Sequence, residues 1–145
     1  RNFKNIQNDY RFFFLLYINL IKTYPNIRNV LKKLKQKYKI VIITSKERKR
    51  AVNVLKKKKL DYDMLVTPND VKKGKPNNDS TRKVLKELSL KRDNMVYIGD
   101  TIFDYQFAKN SKINFFFADW GYGCLKINKS KKIYRPKDIL NLFET

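Results

Sequence analysis

The stretch Met95-Val96-Tyr97-Ile98-Gly99-Asp100-Thr101-Ile102-Phe103-Asp104 joins an apolar segment to a glycine and two carboxylates that are four positions apart. The apolar residues 95–98 predict a buried strand, and Gly99 permits a turn directly after it. Asp100 then stands at the carboxyl end of a parallel strand, which is where open α/β sheets bind ligands. If Ile102 begins a helix, Asp104 lies in its first turn. Carboxylates in such positions suit Mg²⁺, which takes one or two of them together with phosphate oxygens and water.

Two further elements precede this stretch in a fixed order. Lys39-Ile40-Val41-Ile42-Ile43-Thr44-Ser45 is an apolar run that ends in two hydroxyls, as expected of a buried parallel strand that delivers polar side chains to its carboxyl edge. Lys72-Lys73-Gly74-Lys75-Pro76 then places a basic side chain in a Gly/Pro loop just before a predicted helix. Hydroxyls, a lysine and an acidic pair are therefore expected at one edge of a sheet.

In this order and spacing, the elements resemble the haloacid dehalogenase superfamily, and more narrowly its phosphoglycolate-phosphatase-like hydrolases. The resemblance runs from about Tyr24 to Gly123 and continues more weakly to the end of the chain. It includes Tyr24-Pro25-Asn26-Ile27, which looks like the entry to a family helix, and Ala118-Asp119-Trp120-Gly121-Tyr122-Gly123, which looks like the family's Trp-Gly-Tyr-Gly loop. The resemblance implies an α/β, Rossmann-like core with a mainly parallel sheet and flanking helices.

The resemblance also implies a role for each matched residue. Thr44 and Lys75 would hold the transferring phosphoryl group, with Ser45 joining Thr44 in phosphate binding. Asp100 and Asp104 would hold and orient Mg²⁺. Such a set fits the chemistry, because phosphoryl transfer depends on positioning and on stabilising the negative charge of the phosphoryl oxygens. The implied function is a Mg²⁺-dependent phosphatase that acts on a small phosphorylated metabolite.

Each of these residues also has a structural interpretation. Thr44 and Ser45 could simply cap the following helix, and an acidic residue in a first turn is ordinary helix capping. Lys75 could be one surface lysine among many. Trp120 and Tyr122 either plug the end of the sheet or belong to a substrate loop.

The family's nucleophile is an aspartate from a strand-borne Asp-x-Asp motif near the amino terminus, and no matching motif occurs here. Asp61-Tyr62-Asp63 has the spacing, but it follows four lysines and precedes the apolar residues instead of following them. Asp9 precedes an apolar run and is typical of a helix N-cap. The chain as given is therefore expected to bind Mg²⁺ and phosphate weakly and to turn over nothing.

The chain begins with Arg1, and we expect the missing nucleophile segment to lie upstream in the native protein. In the family that strand lies between the strands matched by residues 39–44 and 95–98. Its loss would leave two apolar strand edges unpaired, which natural domains avoid. The segment 1–24 is expected to be a remnant of a helical cap, and 25–145 the core domain without its first strand.

Charge and composition bound the other possibilities. The net charge of +21 in 145 residues invites a nucleic-acid interpretation, but lysine is spread along nearly every segment. We expect no specific nucleic-acid partner, although nonspecific electrostatic binding at low salt fits this charge. The alternative function is a noncatalytic basic module, on the same fold, that binds nucleic acid or a protein.

The cysteine and histidine content excludes several classes of site. Cys124 is the only cysteine, so no internal disulfide can form and a cytoplasmic location is expected. The chain has no histidine, which excludes Ser-His and Cys-His hydrolases and most zinc sites. The apolar run at 12–21 is too short to span a bilayer, so no membrane partner is expected.

The hydrophobic periodicity of the rest of the chain alternates between strand and helix patterns. The helix that follows the Lys75 loop is expected to be capped by Asp79 or Ser80. Helices are predicted over 27–38, 48–58, 79–88, 102–110 and 137–143, and strands over 39–44, 64–67, 95–98 and 114–118.

Overall fold

The computed structural model describes residues 18–143. Its α-helices bury apolar residues at helical spacing, such as Val30 with Leu34 and Ala51 with Leu55. They are α1 (Ile27–Lys35), α2 (Arg48–Lys57), α3 (Asp79–Glu87) and α4 (Ile102–Ser111). Short 3₁₀ helices lie at Ile18–Leu20, Pro68–Asp70, Arg92–Asn94, Lys129–Lys131 and Pro136–Leu142.

The described strands alternate with these helices. They are β1 (Val41–Ile43), β2 (Met64–Val66), β3 (Val96–Gly99), β4 (Asn114–Ala118) and β5 (Lys132–Ile133). β1 pairs in parallel with β2, with Ile42 opposite Leu65. β3 pairs in parallel with β4, which pairs in parallel with β5. Parallel sheets with flanking helices confirm the predicted α/β, Rossmann-like class.

The strands form two sheets, β1-β2 and β3-β4-β5. Ile40, just before β1, and Ile98 in β3 pack against one apolar cluster, and Ile43 of β1 and Tyr97 of β3 pack against another. The strands β1 and β3 are therefore neighbours. We call the space between these two strands the β1–β3 gap. No strand within residues 18–143 pairs with β1 or β3 on the gap side.

The burial of each strand depends on whether the strand borders the gap. Val96 at the start of β3 is 39% exposed and all three residues of β1 are half-buried, whereas Val66 in β2 and Phe117 in β4 are at most 1% exposed. In a complete parallel sheet the central strands are the most buried. Here the strands that border the gap are less buried than their outer neighbours.

Helix ends account for most differences from the sequence predictions. The helix predicted at 27–38 ends at Lys35, and the closing segment at Pro136–Leu142 is a 3₁₀ helix. The expectation that Asp79 or Ser80 caps α3 is wrong, because Asn78 is the N-cap residue and Asp79 already belongs to the helix. The Asp79 carboxylate accepts bonds from Lys73 N and from Arg82 instead.

The predicted cap remnant, 1–24, lies largely outside the described residues, which begin at Ile18. The described helices also bear on whether this chain could span a membrane. Over residues 18–143, none of them combines the length and the apolar character needed to cross a bilayer.

Candidate active site

Asp104 is held at the start of α4 by a capping box. The Thr101 hydroxyl accepts a bond from Asp104 N, and the Asp104 carboxylate accepts bonds from Thr101 N and Thr101 Oγ1 at 3.1 and 2.6 Å. Reciprocal capping of this kind fixes both the helix start and the carboxylate. Asp104 therefore lies in the first turn of a helix, as the spacing predicts.

The structure brings Lys75 to the other oxygen of the same carboxylate. Lys75 Nζ donates to Asp104 Oδ1 at 2.6 Å, and the two side chains are only 14% and 8% exposed. Burial by itself would raise the pKa of Asp104. Hydrogen bonds from Lys75, Thr101 and Tyr97 outweigh burial, so this pKa lies below its usual value. Asp104 is a carboxylate at neutral pH, and it fixes the ammonium group in place.

Tyr97 completes this network, and the sequence interpretation missed it. Its hydroxyl accepts a bond from Lys75 Nζ at 3.1 Å and donates one to Asp104 Oδ1 at 2.8 Å. Burial, followed by the neighbouring Asp104 and Asp100, raises the pKa of Tyr97, so the hydroxyl keeps its proton. The sequence does contain a feature that could have identified Tyr97: it is an aromatic residue with a hydroxyl in an otherwise aliphatic strand, three residues before Asp100.

Thr44 and Ser45 meet Lys75 at a cavity of about 160 Å³, which we call the phosphate cavity. Thr44 N donates to the Val66 carbonyl at 3.1 Å, which continues the β1-β2 ladder and places the hydroxyl just beyond β1. Thr67, Gly74 and Ser80 also line this cavity. Hydroxyl-bearing side chains, Thr44 and Ser45 among them, and the Lys75 ammonium group therefore border a space suited to a phosphate group.

Asp100 lies at the end of β3 but does not line the phosphate cavity. Its Oδ2 accepts a bond from Tyr122 N at 2.8 Å. The loop that follows β4 passes so close that a Cβ at Gly121 would overlap the Asp100 side chain, and one at Gly123 would overlap the Asp100 carbonyl oxygen. Glycine is required there because no side chain fits.

The Trp-Gly-Tyr-Gly loop therefore divides its two aromatic residues between two environments. Trp120 packs against the apolar cluster beside α1 and β5. Tyr122 is 96% exposed, and its backbone N–H donates to Asp100. The structural interpretation fits Trp120, and the exposed position of Tyr122 suits a residue that meets a ligand.

The acidic side chains can be tested for their fit to a magnesium ion. Within residues 18–143, no three Asp, Glu, Cys or His side chains gather closely enough to form a cation cage. Mg²⁺ does not require one, since it keeps several waters and binds one or two carboxylates together with substrate phosphate. Asp100 is partly exposed and fits this requirement. Both oxygens of Asp104 already accept two bonds each.

The motif Asp61-Tyr62-Asp63 lies at the wrong end of the strands for a nucleophile. Asp63 directly precedes β2, and its Oδ2 accepts a bond from Ile40 N at 2.8 Å, before the start of β1. Thr44, in contrast, follows the carboxyl end of β1. Asp9 lies outside the described residues.

Comparisons with known proteins identify relatives of this chain. The chain spans about half the length of the curated relatives that it matches. One of them, the pyrophosphatase PpaX of Halalkalibacterium halodurans, is 31% identical over 65% of this chain and 45% of its own length.

Solved structures share the fold. A predicted phosphoglycolate phosphatase from Haemophilus somnus has a TM-score of 0.88 and 21% identity, over 98% of this chain and 67% of its own. YfnB from Bacillus subtilis, assigned as a HAD-hydrolase and crystallised with bound magnesium, has a TM-score of 0.74 and 13% identity, over 84% and 55%. The model of the haloacid dehalogenase-like hydrolases matches residues 4–118. With that match and the site geometry above, this chain belongs to the haloacid dehalogenase-like hydrolase family.

Proposed function

We propose that this chain is the core of a Mg²⁺-dependent phosphomonoester hydrolase that acts on a small phosphorylated metabolite. The observation that carries the proposal is the position of Lys75. Its ammonium group is held by Asp104 and Tyr97 and borders the cavity that Thr44 and Ser45 also line. A fixed cation beside two hydroxyl donors is the arrangement that stabilises a transferring phosphoryl group.

In this proposal the two aspartates have different roles. Asp100 would hold the Mg²⁺ ion, which would supply positive charge to the phosphoryl oxygens. Asp104 acts as a positioning residue, because its four hydrogen bonds orient Lys75 and the start of α4. Thr44 and Ser45 donate to phosphate oxygens from the end of β1. A metal role for Asp104 stays a prediction of the family resemblance.

The attacking aspartate is proposed to come from a strand that fills the β1–β3 gap. Such a strand would pair with the free edges of β1 and β3 and would end at the same rim as Thr44 and Asp100. Since the sequence holds no Asp-x-Asp that follows an apolar strand, residues 1–145 alone are expected to release no phosphate.

Phosphate release with and without Mg²⁺ tests this proposal. Residues 1–145 are compared with a longer chain, extended to the complete reading frame, on p-nitrophenyl phosphate, phosphoglycolate and pyrophosphate. Pyrophosphate is included because curated relatives are named pyrophosphatases. We expect Mg²⁺-dependent turnover only from the longer chain, and a loss of at least about 100-fold in kcat for Lys75→Ala or Asp100→Asn.

Lys86→Ala is the matched control, since Lys86 is exposed on α3 and does not line the phosphate cavity. Its kcat should equal that of the parent. The enzyme proposal fails if the complete reading frame holds no apolar strand followed by Asp-x-Asp upstream of Arg1. It fails equally if Lys75→Ala leaves turnover unchanged.

A further inference from the structure

A second and larger cavity lies apart from the phosphate cavity and shares no lining residue with it. Its volume is about 400 Å³, within the range of about 300–1,000 Å³ that is typical of small-molecule sites. We call it the aromatic cleft and define it by Tyr24, Trp120, Tyr134, Arg135 and Lys137. The phosphatase chemistry proposed above uses none of these side chains.

The fold holds the aromatic walls of the cleft in place. Trp120 packs against the buried cluster that includes Val30 and Ile133. Tyr24 meets Trp120 edge to face, with ring centroids 6.4 Å apart and an angle of 66° between the planes. Asp119 N donates to the Ile133 carbonyl at 2.9 Å, which ties the Trp120 loop to β5. A ligand would therefore enter a preformed site and lose little free energy to reorganising it.

Cations lie on one side of the cleft. Both Nε and Nη2 of Arg135 donate to the Asp138 carboxylate, at 3.1 Å each, so the guanidinium plane is oriented while its charge is balanced. Lys137 is exposed beside it and adds a further positive charge. The Asp138 carboxylate offsets part of this charge, and with a net charge of +21 on the whole chain the Lys137 side favours an anion over a cation.

These observations together define the ligand chemistry. Tyr134, at 53% exposure, and Tyr24, at 38%, offer ring faces or edges to a flat molecule. The lysine on the rim favours a negative group attached to that molecule. We propose that the aromatic cleft binds a planar aromatic anion, and that a nucleoside monophosphate represents this class. The proposal goes beyond the phosphatase function and does not depend on it.

The chain contains a natural reporter for the cleft. Trp120 is the only tryptophan of the 145 residues and it lines the cleft, so its fluorescence reports on binding there. Adenosine 5′-monophosphate is titrated into the chain, with excitation at the long-wavelength edge of tryptophan absorption, where adenine does not absorb. We expect saturable quenching by the nucleotide, weaker binding of adenosine by about fivefold, and no saturable change with inorganic phosphate or ribose 5-phosphate.

Variants then locate the bound nucleotide. Tyr134→Ala should weaken binding by about tenfold, since one stacking surface is lost. Lys137→Ala removes one exposed cation and should weaken binding by about threefold to fivefold without affecting folding. Lys86→Ala, the same charge change on α3, should bind like the parent.

The outcomes separate this site from the phosphate cavity. Loss of quenching in Lys75→Ala with unchanged quenching in Lys137→Ala would place the nucleotide in the phosphate cavity and overturn the proposal. Absence of saturable quenching, or equal affinity for adenosine and its monophosphate, would overturn it as well. None of these results alters the Mg²⁺-dependent turnover expected of the longer chain, so the two proposals can fail independently.

Discussion

Single residues decide how Lys75 is presented to the phosphate cavity. A lysine side chain is long and flexible, and in solution it samples many rotamers. Here its ammonium group is held by Asp104 and by the Tyr97 hydroxyl, in a place where neither Lys75 nor Asp104 is more than 14% exposed. Because Asp104 also accepts two bonds from Thr101, the same carboxylate couples the lysine to the start of α4.

Replacing Asp104 should reveal this coupling as a stability that depends on pH. Asp104→Asn leaves the buried Lys75 without its counter-charge, which should lower the free energy of unfolding by about 3 kcal/mol at pH 7. Folding lowers the pKa of Asp104 from its usual 3.8. The stabilisation is therefore fully present above pH 3.8 and is lost as the pH falls through the folded-state pKa.

Urea unfolding at pH 7 and at pH 3 measures this difference. The difference in unfolding free energy between the parent and Asp104→Asn should be smaller at the lower pH. Asp93→Asn is the matched control, because Asp93 is an exposed carboxylate in the short 3₁₀ helix before β3. A difference in unfolding free energy that stays the same at both pH values would contradict the assigned role of Asp104.

Gly123 should be intolerant of the smallest side chain. A Cβ there would overlap the Asp100 carbonyl oxygen, so the loop must move and the bond from Tyr122 N to Asp100 is disturbed. We expect Gly123→Ala to cost about 1–3 kcal/mol in urea unfolding. Gly74→Ala is the control, since a Cβ at Gly74 meets no atom within 4 Å. Equal stability of the two variants would show that the loop does not press on Asp100.

At the scale of elements, the informative feature is the pair of strand edges that border the β1–β3 gap. β4 is paired on both sides, whereas β1 and β3 each have one described partner. A strand edge leaves alternate backbone N–H and C=O groups without a ladder partner. The three residues of β1 are half-buried, so the cost of this edge is not offset by deep burial.

Amide hydrogen exchange should follow this pairing. In residues 1–145, those amides of β1 and β3 that point into the gap should exchange much faster than the amides of β4, because they lack a stable acceptor. Exchange measured by NMR at residue resolution tests this. Uniformly slow exchange along β1 and β3 would mean that the gap is covered. In the longer chain with the proposed strand, protection of these same amides should rise.

At the scale of the whole molecule, the net charge of +21 acts as a general electrostatic field. Lysine and arginine occur in α1, α2, α3 and α4, and several pair with nearby carboxylates, as Arg48 does with Asp70 and Lys132 with Asp119. A distributed charge of this kind favours contact with any polyanion and carries no sequence information.

Binding to nucleic acid should therefore be nonspecific and sensitive to salt. We expect a random single-stranded RNA to bind at 50 mM salt and to lose most of its affinity by about 200 mM, with no preference among sequences. Fluorescence anisotropy of a labelled oligonucleotide measures both properties. A sequence preference that persists at the higher salt, and that survives Asp100→Asn, would instead support the basic binding module.

The predictability of each feature depended on whether its signal was local. The strand over 114–118 was predicted with the bounds that the structure gives, because its apolar run is bounded by polar residues. The 3₁₀ form of Pro136–Leu142 was not predicted, because the spacing of its apolar residues fits either type of helix. The bonds between Tyr97 and Lys75 join residues 22 positions apart, and no local pattern reports them.

The sequence by itself determined the class of fold, the order of strands and helices, and the residue types of the candidate site. These follow from apolar periodicity and from polar residues placed directly after strands, which are properties of neighbouring residues. Only the tertiary structure decided that Asp104 binds and orients Lys75, that Asp100 lies under the Trp-Gly-Tyr-Gly loop, and that the aromatic cleft exists. Each of these depends on contacts between residues distant in the chain, which form only when separate elements pack together.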